Sequence, residues 1–354
     1  MAAITDTGDI VKPVNVIFQQ TLLRNAKPHA PYFIGTMPAD LTQHRGSLTA
    51  KWRRVENLTP TVSALSELTA DTLPTRASVV PSVTDVTATV QKYGQHILLS
   101  EETDLANFNG QTDKLVEVLG ISAGRSLNML QRNEAEDNLT IVFAGAVASD
   151  GVVVSAITLA SIKSVVNTLD RNSAIPFTPM TRGNTIIGSA PILASYWAIC
   201  HPDVAIDVVG LTGFKSVETY AGHTATEPFE FGYLPIAGRG VRFLMSPDAS
   251  VDAGSGGTTG STGLRGSTNI ELYSVPVYGR DALGSVGFGF EHIKETYDPG
   301  DKLPGIMLIN KGFGSSGVAD PFDELASLAW KSWHAAKVLN STWGRTIRAG
   351  ATSV

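Results

Sequence analysis

The sequence predicts an α+β fold in which extended segments, one long helix and an α/β domain follow one another along the chain. Apolar and polar residues alternate over residues 48–53 and again over 86–91, which is the period of a half-exposed strand. Apolar residues recur every three or four positions over 115–130, and no proline interrupts 111–148. This spacing indicates an amphipathic helix of about 30 residues. Residues 150–315 mix helical and strand-like patterns, which favours an α/β domain there.

The same patterns predict individual elements inside these regions. Thr112 is expected to be the N-cap of the long helix, because its hydroxyl can accept a backbone N–H. Residues 157–169 predict a second helix. Composition alone predicts that the glycine-rich segment 252–266 is a flexible loop. Strands are predicted at residues 203–209, 241–245, 275–278 and 285–290.

Two regions lack the residues for a core of their own. In residues 1–45, prolines and polar stretches interrupt short apolar pieces, so this region is predicted to be an arm that needs a partner surface. Residues 46–100 predict a long hairpin with a threonine-rich, proline-bearing connection. A lone hairpin is marginally stable in water, so we expect it to lie on another surface.

Composition limits the classes of function. Only 17% of the 354 residues are charged, less than the typical quarter, which fits a subunit whose surface is partly covered by neighbours and a compact low-charge cytosolic enzyme equally well. The net charge of −6 argues against a protein that grips nucleic acid through its phosphates. Cys200 is the only cysteine and is predicted to be a buried small hydrophobe, so no intrachain disulfide forms. Neither a membrane-spanning helix nor a signal peptide is expected.

The last part of the chain is unusually aromatic. Residues 318–348 contain Trp330, Trp333 and Trp343, three of the five tryptophans. Chain ends fray unless they are tied down, so this segment is predicted to be core or the surface of a permanent assembly. Its pattern fits a helix and a strand equally well.

Motifs for catalysis and cofactors are weak. Gly120–Gly124 matches the G-x-S-x-G pattern of a serine nucleophile, with Ser122 at its centre, but it lies inside the predicted helix instead of after a strand. Small residues there favour close helix packing. The glycine-rich segment 252–266 lacks a phosphate-binding motif, and the seven histidines lack metal-ligand spacing. We therefore predict no catalytic, cofactor-binding or metal-binding residues.

A charged cluster lies on the first predicted strand of the hairpin. Arg53, Arg54 and Glu56 follow Trp52 closely. Arginine forks suit both phosphates and protein interfaces, so the cluster is either an anion site or a set of intersubunit ion pairs. The acidic chain favours the interface.

The order of arm, extended hairpin, long helix, α/β domain and aromatic tail resembles the major capsid proteins of tailed bacteriophages. More narrowly it resembles the N4-like group of these proteins, whose fold is of the HK97 type. Weak matches carry this resemblance in sequential order, among them an arginine-bearing first hairpin strand and a return strand centred on Tyr93 and Gly94. The matching segments are residues 48–58, 65–67, 86–105, 200–204, 238–245, 277–284, 319–322 and 329–331. The usual glycine after Glu67 is replaced by Leu68.

The resemblance implies a division of the chain. Residues 1–45 would be an N-terminal arm, and 46–105 an extended loop built on the hairpin. Residues 106–164 would form a peripheral domain around a spine helix. An α/β axial domain would span 165–315, and 316–354 would return to the peripheral domain.

The resemblance also implies a structural function without enzymatic activity or cofactors. Copies would form hexamers and pentamers of an icosahedral head that encloses double-stranded DNA without sequence-specific binding. Candidate further partners are decoration or cement, scaffolding and portal proteins, with no membrane partner. The expected location is the virion, after assembly in the host cytoplasm. The expected intersubunit contacts are Trp52, Arg53, Arg54, Glu56, Glu67 and Tyr93.

Two alternatives remain open at this stage. An encapsulin-type protein compartment shares the fold and would carry enzyme cargo. A soluble hydrolase using Ser122 is the other alternative.

Overall fold

Two β-sheets and one long helix organise the chain. A computed structural model describes residues 18–41, 47–56, 58–60, 62, 79–106, 111–178, 180, 192–220, 229–260, 263–290, 303–315 and 321–353. The helices are α1 (residues 18–26), α2 (Glu101–Ala106), α3 (Gln111–Asn138), α4 (Leu159–Arg171) and α5 (Pro202–Val209). The first strands are β1 (Met37–Leu41), β2 (Thr49–Val55), β3 (Val83–Thr89), β4 (Gln91–Ser100), β5 (Thr140–Phe143), β6 (Ser195–Cys200), β7 (Lys215–Ser216) and β8 (Glu230–Ile236). The remaining strands are β9 (Arg239–Met245), β10 (Val251–Asp252), β11 (Leu272–Tyr278), β12 (Leu283–Phe288), β13 (Ile306–Lys311), β14 (Leu325–Val338) and β15 (Gly344–Ala349).

The sheets differ in size and position. The larger sheet has eight strands in the order β5-β15-β11-β6-β9-β8-β7, with β10 on β11. The smaller sheet runs β1-β12-β14-β13, with β4 along the other side of β14. Strands β2 and β3 form a separate two-stranded ribbon. The chain is therefore an α+β fold with two main sheets and a hairpin.

The larger sheet contains the largest core. Strands β6 and β11 are buried along their whole length. Helix α4 packs its apolar side on this sheet through Ile162, Val165 and Leu169. Its N-cap, Thr158, accepts a hydrogen bond from the Ser161 N–H at 3.3 Å, which satisfies one of the free donors of the first turn. The helix predicted at 157–169 is confirmed within two residues.

Helix α3 spans 28 residues, about 42 Å, and packs on β14. A Cβ atom on Gly124 would lie 2.2 Å from the Ala26 carbonyl oxygen, and one on Gly120 would lie 2.7 Å from that of Leu22. These glycines therefore let α1 approach α3 closely, as the packing interpretation predicted. Because α3 begins at Gln111, the prediction that Thr112 is its N-cap is wrong; Thr112 lies in the first turn.

The arm is partly folded on its own chain. Leu22, Leu23 and Ala26 of α1 are buried in the cluster that α3 and β14 share. Strand β1 pairs in parallel with β12. The partner surface that residues 18–41 need is thus supplied by the same chain. Residues 1–17 lie outside the described residues.

The tail is β-structure. Strand β14 pairs with β4, β12 and β13, and β15 lies between β5 and β11, so the strand alternative holds. Trp330 is only 3% exposed, and the Trp343 Nε1–H donates to the Asn172 carbonyl oxygen at 3.1 Å. The core role predicted for the tail therefore holds for Trp330, whereas Trp333 and Trp343 are half-buried.

One predicted strand is wrong. Residues 203–209 belong to helix α5, which His201 caps by accepting from the Asp203 N–H at 3.2 Å. The helix has only two turns, so its buried Val204 and Val208 gave too short a pattern to separate from a strand. The strands predicted at 241–245, 275–278 and 285–290 are confirmed, with shifted ends.

The glycine-rich segment is held more firmly than its composition predicted. The Gly256 N–H donates to the Ile270 carbonyl at 2.9 Å, and the Gly257 N–H donates to that of Val153 at 3.0 Å. Both glycines are buried. The prediction of a flexible surface loop is therefore wrong at these two positions.

Candidate assembly surfaces

The hairpin of β2 and β3 is anchored at its base. Its strands pair in antiparallel register from Thr49 opposite Thr89 to Val55 opposite Val83. The apolar side chains that the alternation placed on one face point onto the smaller sheet and its flanking chain. The buried contacts are Ala50, Trp52, Ala88 and Val90 against Val286, Ala335 and Leu339. The hairpin base therefore belongs to the core of its own chain.

Trp52 is the main anchor of this base. The residue is 9% exposed, and its ring fills the space above Gly284, where a Cβ atom would lie 2.9 Å from the indole. Leu339 packs beside it. Trp52 was predicted as an intersubunit contact; in the single chain its contacts position the hairpin.

Arg53, Arg54 and Glu56 form ion pairs within the hairpin. The Arg53 Nε lies 3.0 Å from the Asp85 Oδ1, and the hydrogen bond to Arg53 lowers the pKa of the Asp85 carboxyl. The Arg54 Nη2 lies 2.6 Å from the Glu56 Oε1, and this hydrogen bond lowers the pKa of Glu56. Arg54 also donates to the Leu339 carbonyl at 3.2 Å. Because carboxylates already occupy both guanidinium groups, the arrangement disfavours a phosphate site.

Away from its base the hairpin exposes apolar side chains. Val79 is 63% exposed and Val80 is 81% exposed, and Val55, Leu58 and Val83 are also exposed. Val55 and Val83 lie directly opposite one another, and Val79 and Val80 follow each other in the chain. Contiguous exposed apolar residues of this kind mark an interaction surface. Glu67, the predicted contact in this part of the loop, lies outside the described residues.

Tyr93 lies on β4, between the hairpin and α2. Its ring packs at the edge of the cluster between α3 and β14, and its hydroxyl donates to the Gln91 Oε1 at 3.3 Å. It is partly exposed. The structure thus brings the hairpin residues together near the base and places Tyr93 farther along the same chain segment.

Ser122 is not built as a nucleophile. It lies in the middle of α3, and its hydroxyl donates to the Gln95 Oε1 at 2.5 Å. An amide oxygen is not a general base, and the strand before the serine that the motif requires is missing. The nucleophile-elbow interpretation is therefore wrong for this site.

A charged joint links α3 to the larger sheet, and sequence analysis missed it. The Arg125 Nη2 lies 2.6 Å from the Asp248 Oδ1, and Arg132 donates to the Asp248 carbonyl at 2.6 Å. Burial raises the pKa of the nearby Glu136 carboxyl to about 7. These three α3 residues are spaced by seven and four, so they share one helix face, and that spacing was the available signal.

No protein-family model and no curated protein sequence matches the chain. Solved structures match it over nearly its whole length. The capsid of Ralstonia phage GP4 aligns with a TM-score of 0.59 at 8% identity, over 92% of each chain. The capsid structure of cyanophage P-SCSP1u gives 0.55 at 11% identity, over 90% of this chain and 87% of that one. The cyanophage Pam1 capsid gives 0.54 at 12% identity, over 93% of each.

The chain has the fold of a phage capsid protein. The alignments cover 90–93% of the chain, and together with the helices and sheets described above they confirm the α+β class. Identities of 8–12% carry the fold alone, so the narrower resemblance to the N4-like group stays a prediction.

Membrane-spanning helices and candidate metal clusters are absent from the part of the chain that the structure describes. No helix there is long and apolar enough to cross a membrane. No group of three or more histidine, cysteine or acidic residues within the same described ranges is placed to hold a metal ion. The candidate functional feature described above is a surface, the apolar end of the hairpin.

Proposed function

We propose that this protein is the structural major capsid protein of a tailed double-stranded DNA phage. Copies would assemble into hexamers and pentamers of an icosahedral shell that encloses the genome. The observation that carries the proposal is the hairpin on a capsid fold. Its base is locked into the core by Trp52, while its far end presents exposed apolar residues.

Burial of that far end would supply part of the assembly energy. A fully buried valine side chain is worth about 1.5 kcal/mol or more relative to an exposed one. Val79 and Val80 alone would therefore favour contact with a neighbouring copy. Every subunit contributes the same hairpin, so the gain is repeated at each copy of the interface.

The polar residues predicted as intersubunit contacts are part of the same proposal. Arg53, Arg54, Glu56, Glu67 and Tyr93 remain proposed intersubunit contacts, and Trp52 acts by holding the hairpin in place. The division into arm, extended loop, peripheral domain and axial domain is part of the same proposal. The protein would reside in the virion after assembly in the host cytoplasm, and it would have no enzymatic role.

The charge of the chain fits this function. With 33 acidic and 27 basic residues, the subunit repels DNA on average. A shell of such subunits would enclose a genome without binding it sequence-specifically. Scaffolding, portal and decoration proteins would be the heterologous partners.

A paired substitution tests the proposal. The full-length chain is expressed, fractionated by size and imaged by electron microscopy, beside Val79→Asp/Val80→Asp and the matched control Val152→Asp/Val154→Asp. The control valines are also exposed, at 54% and 47%, but lie away from the hairpin. The hairpin variant is expected to stay folded by circular dichroism and to lose shells, while the control keeps them. Normal shells from the hairpin variant would contradict the proposal.

The contents of the particles separate the capsid from its closest alternative. Nuclease-protected DNA in particles formed during phage infection supports the capsid proposal. Particles that carry a specific enzyme and no DNA would favour an encapsulin-type compartment.

A further inference from the structure

The edge strands β13 and β4 of the smaller sheet differ in whether their outward main-chain groups have hydrogen-bond partners. At the β13 edge the side-chain amide of Gln19 takes the place of a neighbouring strand. Its Nε2 donates to the Ile306 carbonyl at 2.7 Å, and its Oε1 accepts from the Leu308 N–H at 2.8 Å. Two outward main-chain groups of β13 are therefore satisfied within the chain.

The opposite edge is open. Strand β4 is ten residues long and contains no proline. Val90, just before it, donates to the Leu48 carbonyl, but no described residue pairs with the outer side of β4 itself. Long unprotected edges are templates for pairing with another chain.

One hydrogen bond shows which main-chain groups of β4 point away from β14. The Glu101 N–H donates to the Glu324 carbonyl at 2.9 Å, in register with β4 and β14. In an antiparallel pair the bonding residues alternate, so odd-numbered residues of β4 face β14. The N–H and C=O groups of Gly94, His96 and Leu98 therefore point outward.

One end of this edge is positive. The Lys92 Nζ lies 6.0 Å from the ring centre of Trp333, and the Lys331 Nζ lies 5.3 Å from that of Phe290. No carboxylate among the described residues pairs with either ammonium group. Gly94 lies opposite Lys331, and the three residues Lys92, Gly94 and Lys331 line the same shallow surface pocket.

The other end is negative. Glu101 and Glu102 begin α2 directly after β4, and Glu324 precedes the paired end of β14; all three are exposed. The charge along the open edge thus runs from positive at Lys92 to negative at Glu102. Two copies of this edge laid antiparallel would bring each positive end beside a negative end.

We propose that β4 pairs with β4 of a second copy of this chain across a two-fold axis, which joins their smaller sheets into one. The inference rests on the proposed function only in requiring that copies adjoin one another. An antiparallel pair of identical strands is self-complementary, as a two-fold interface demands. The register that matches the charges sets Lys92 opposite Glu102 and His96 opposite Leu98, with Ile97 at the axis.

Cysteine cross-linking tests the pairing and its register. His96→Cys and Leu98→Cys chains are expressed separately and together at full length, and mild oxidation is followed on non-reducing gels. The native Cys200 is fully buried, which raises its pKa and keeps it out of the reaction. The mixture is expected to cross-link, and Lys163→Cys, on the exposed side of α4, is the control that does not. A register moved by two residues would cross-link one of the single variants with itself, which still supports antiparallel pairing.

A charge swap then tests the chemistry. Lys92→Glu and Glu102→Lys, each added to the cysteine chains, place like charges opposite one another across the axis. Each is expected to lower the cross-linking yield about tenfold, and the double swap Lys92→Glu/Glu102→Lys is expected to restore it. Lys163→Glu should change nothing.

The outcomes separate this inference from the capsid proposal. Shells that form normally without cross-links at 96 and 98 overturn the strand pairing and leave the capsid function standing. Cross-linked dimers that never form shells support the pairing and count against the capsid function. Cross-links at 96 or 98 to a different protein instead of a second copy overturn the pairing.

Discussion

The larger sheet and the hairpin differ in how far their strands and ion pairs are buried. In the larger sheet, β6 and β11 are buried throughout, and the buried Arg242 lies 3.0 Å from its carboxylate partner, Glu230. In the hairpin, β3 is exposed at most positions, and its ion pairs lie in solvent. The first region is complete in one chain. The second has a core only at its base among the described residues, and we propose that its remaining contacts come from a neighbouring copy.

The largest effect is expected where the larger sheet depends on a buried charge. Arg242→Ala would leave Glu230 and the Tyr220 hydroxyl bound to it, at 2.7 Å, without the guanidinium. Removing one partner of a buried pair costs about 3–5 kcal/mol of unfolding free energy. Urea titration followed by fluorescence measures the loss.

The matched control is an arginine of the hairpin. Arg53→Ala removes the exposed pair with Asp85 and is expected to leave the urea midpoint unchanged. Equal losses for the two arginine variants would erase the contrast between the regions.

The anchor of the hairpin gives the next effect. Trp52→Ala empties the space above Gly284, at a cost of about 3 kcal/mol for a buried aromatic side chain. Because this contact joins the hairpin to the smaller sheet and does not reach the larger one, amide exchange should rise sharply over β2 and β3 and stay constant in β11. Exchange that rises equally in both places would show that the hairpin is not a separate unit.

The unfolding free energy is expected to depend on pH through Glu136, which lies in the charged joint between α3 and the larger sheet. Burial raises the pKa of Glu136 to about 7, so the folded state disfavours its ionised form. The resulting penalty is absent below the unfolded pKa near 4.5, grows as pH rises to 7 and is complete above it, at about 3 kcal/mol. Glu136→Gln should therefore stabilise the protein at pH 8 and leave it unchanged at pH 4.5.

His334 makes stability depend on pH in the opposite direction. Comparing the unmodified protein with the Glu136→Gln variant removes this contribution. Burial lowers its pKa to about 4, so stability is lost as pH falls below the ordinary value of 6.5. His334 is present in both proteins, so its contribution cancels in the difference between their unfolding free energies. Destabilisation by Glu136→Gln at pH 8 would show that the carboxylate is needed in its ionised form.

The smallest effect is expected at Ser122. Ser122→Ala removes one partly exposed hydrogen bond to Gln95, worth about 1 kcal/mol at most. Any esterase activity of the purified chain should be unchanged, with Ser126→Ala one turn along α3 as control. Activity that is lost with Ser122 alone would revive the hydrolase alternative.

Much of the fold could be read from periodicity. Alternation placed Ala50 and Trp52 on the buried face of the hairpin, and the long helix followed from leucine spacing. Short elements failed: α5 has too few residues to show its period. The sequence of the tail did not distinguish a helix from a strand. Strand β14 pairs with β4, β12 and β13, which are distant in sequence, so its burial does not follow a simple alternation.

The candidate surfaces were harder to predict than the fold. The arginines of the hairpin were visible in the sequence, but their pairing with Asp85 and Glu56 needed the register of β2 and β3. The joint at Asp248 and the open edge of β4 depend on contacts more than 100 residues apart or on the lack of a pairing strand. Such features belong to the topology and leave little local signal.

Hydrogen–deuterium exchange of the full-length chain before and after assembly shows whether neighbouring copies cover the hairpin. We predict that residues 79–89 become strongly protected in the assembled particle, while β6 and β11 exchange equally slowly in both states. Residues 79–89 that exchange equally fast in the particle and in the free subunit would contradict this prediction.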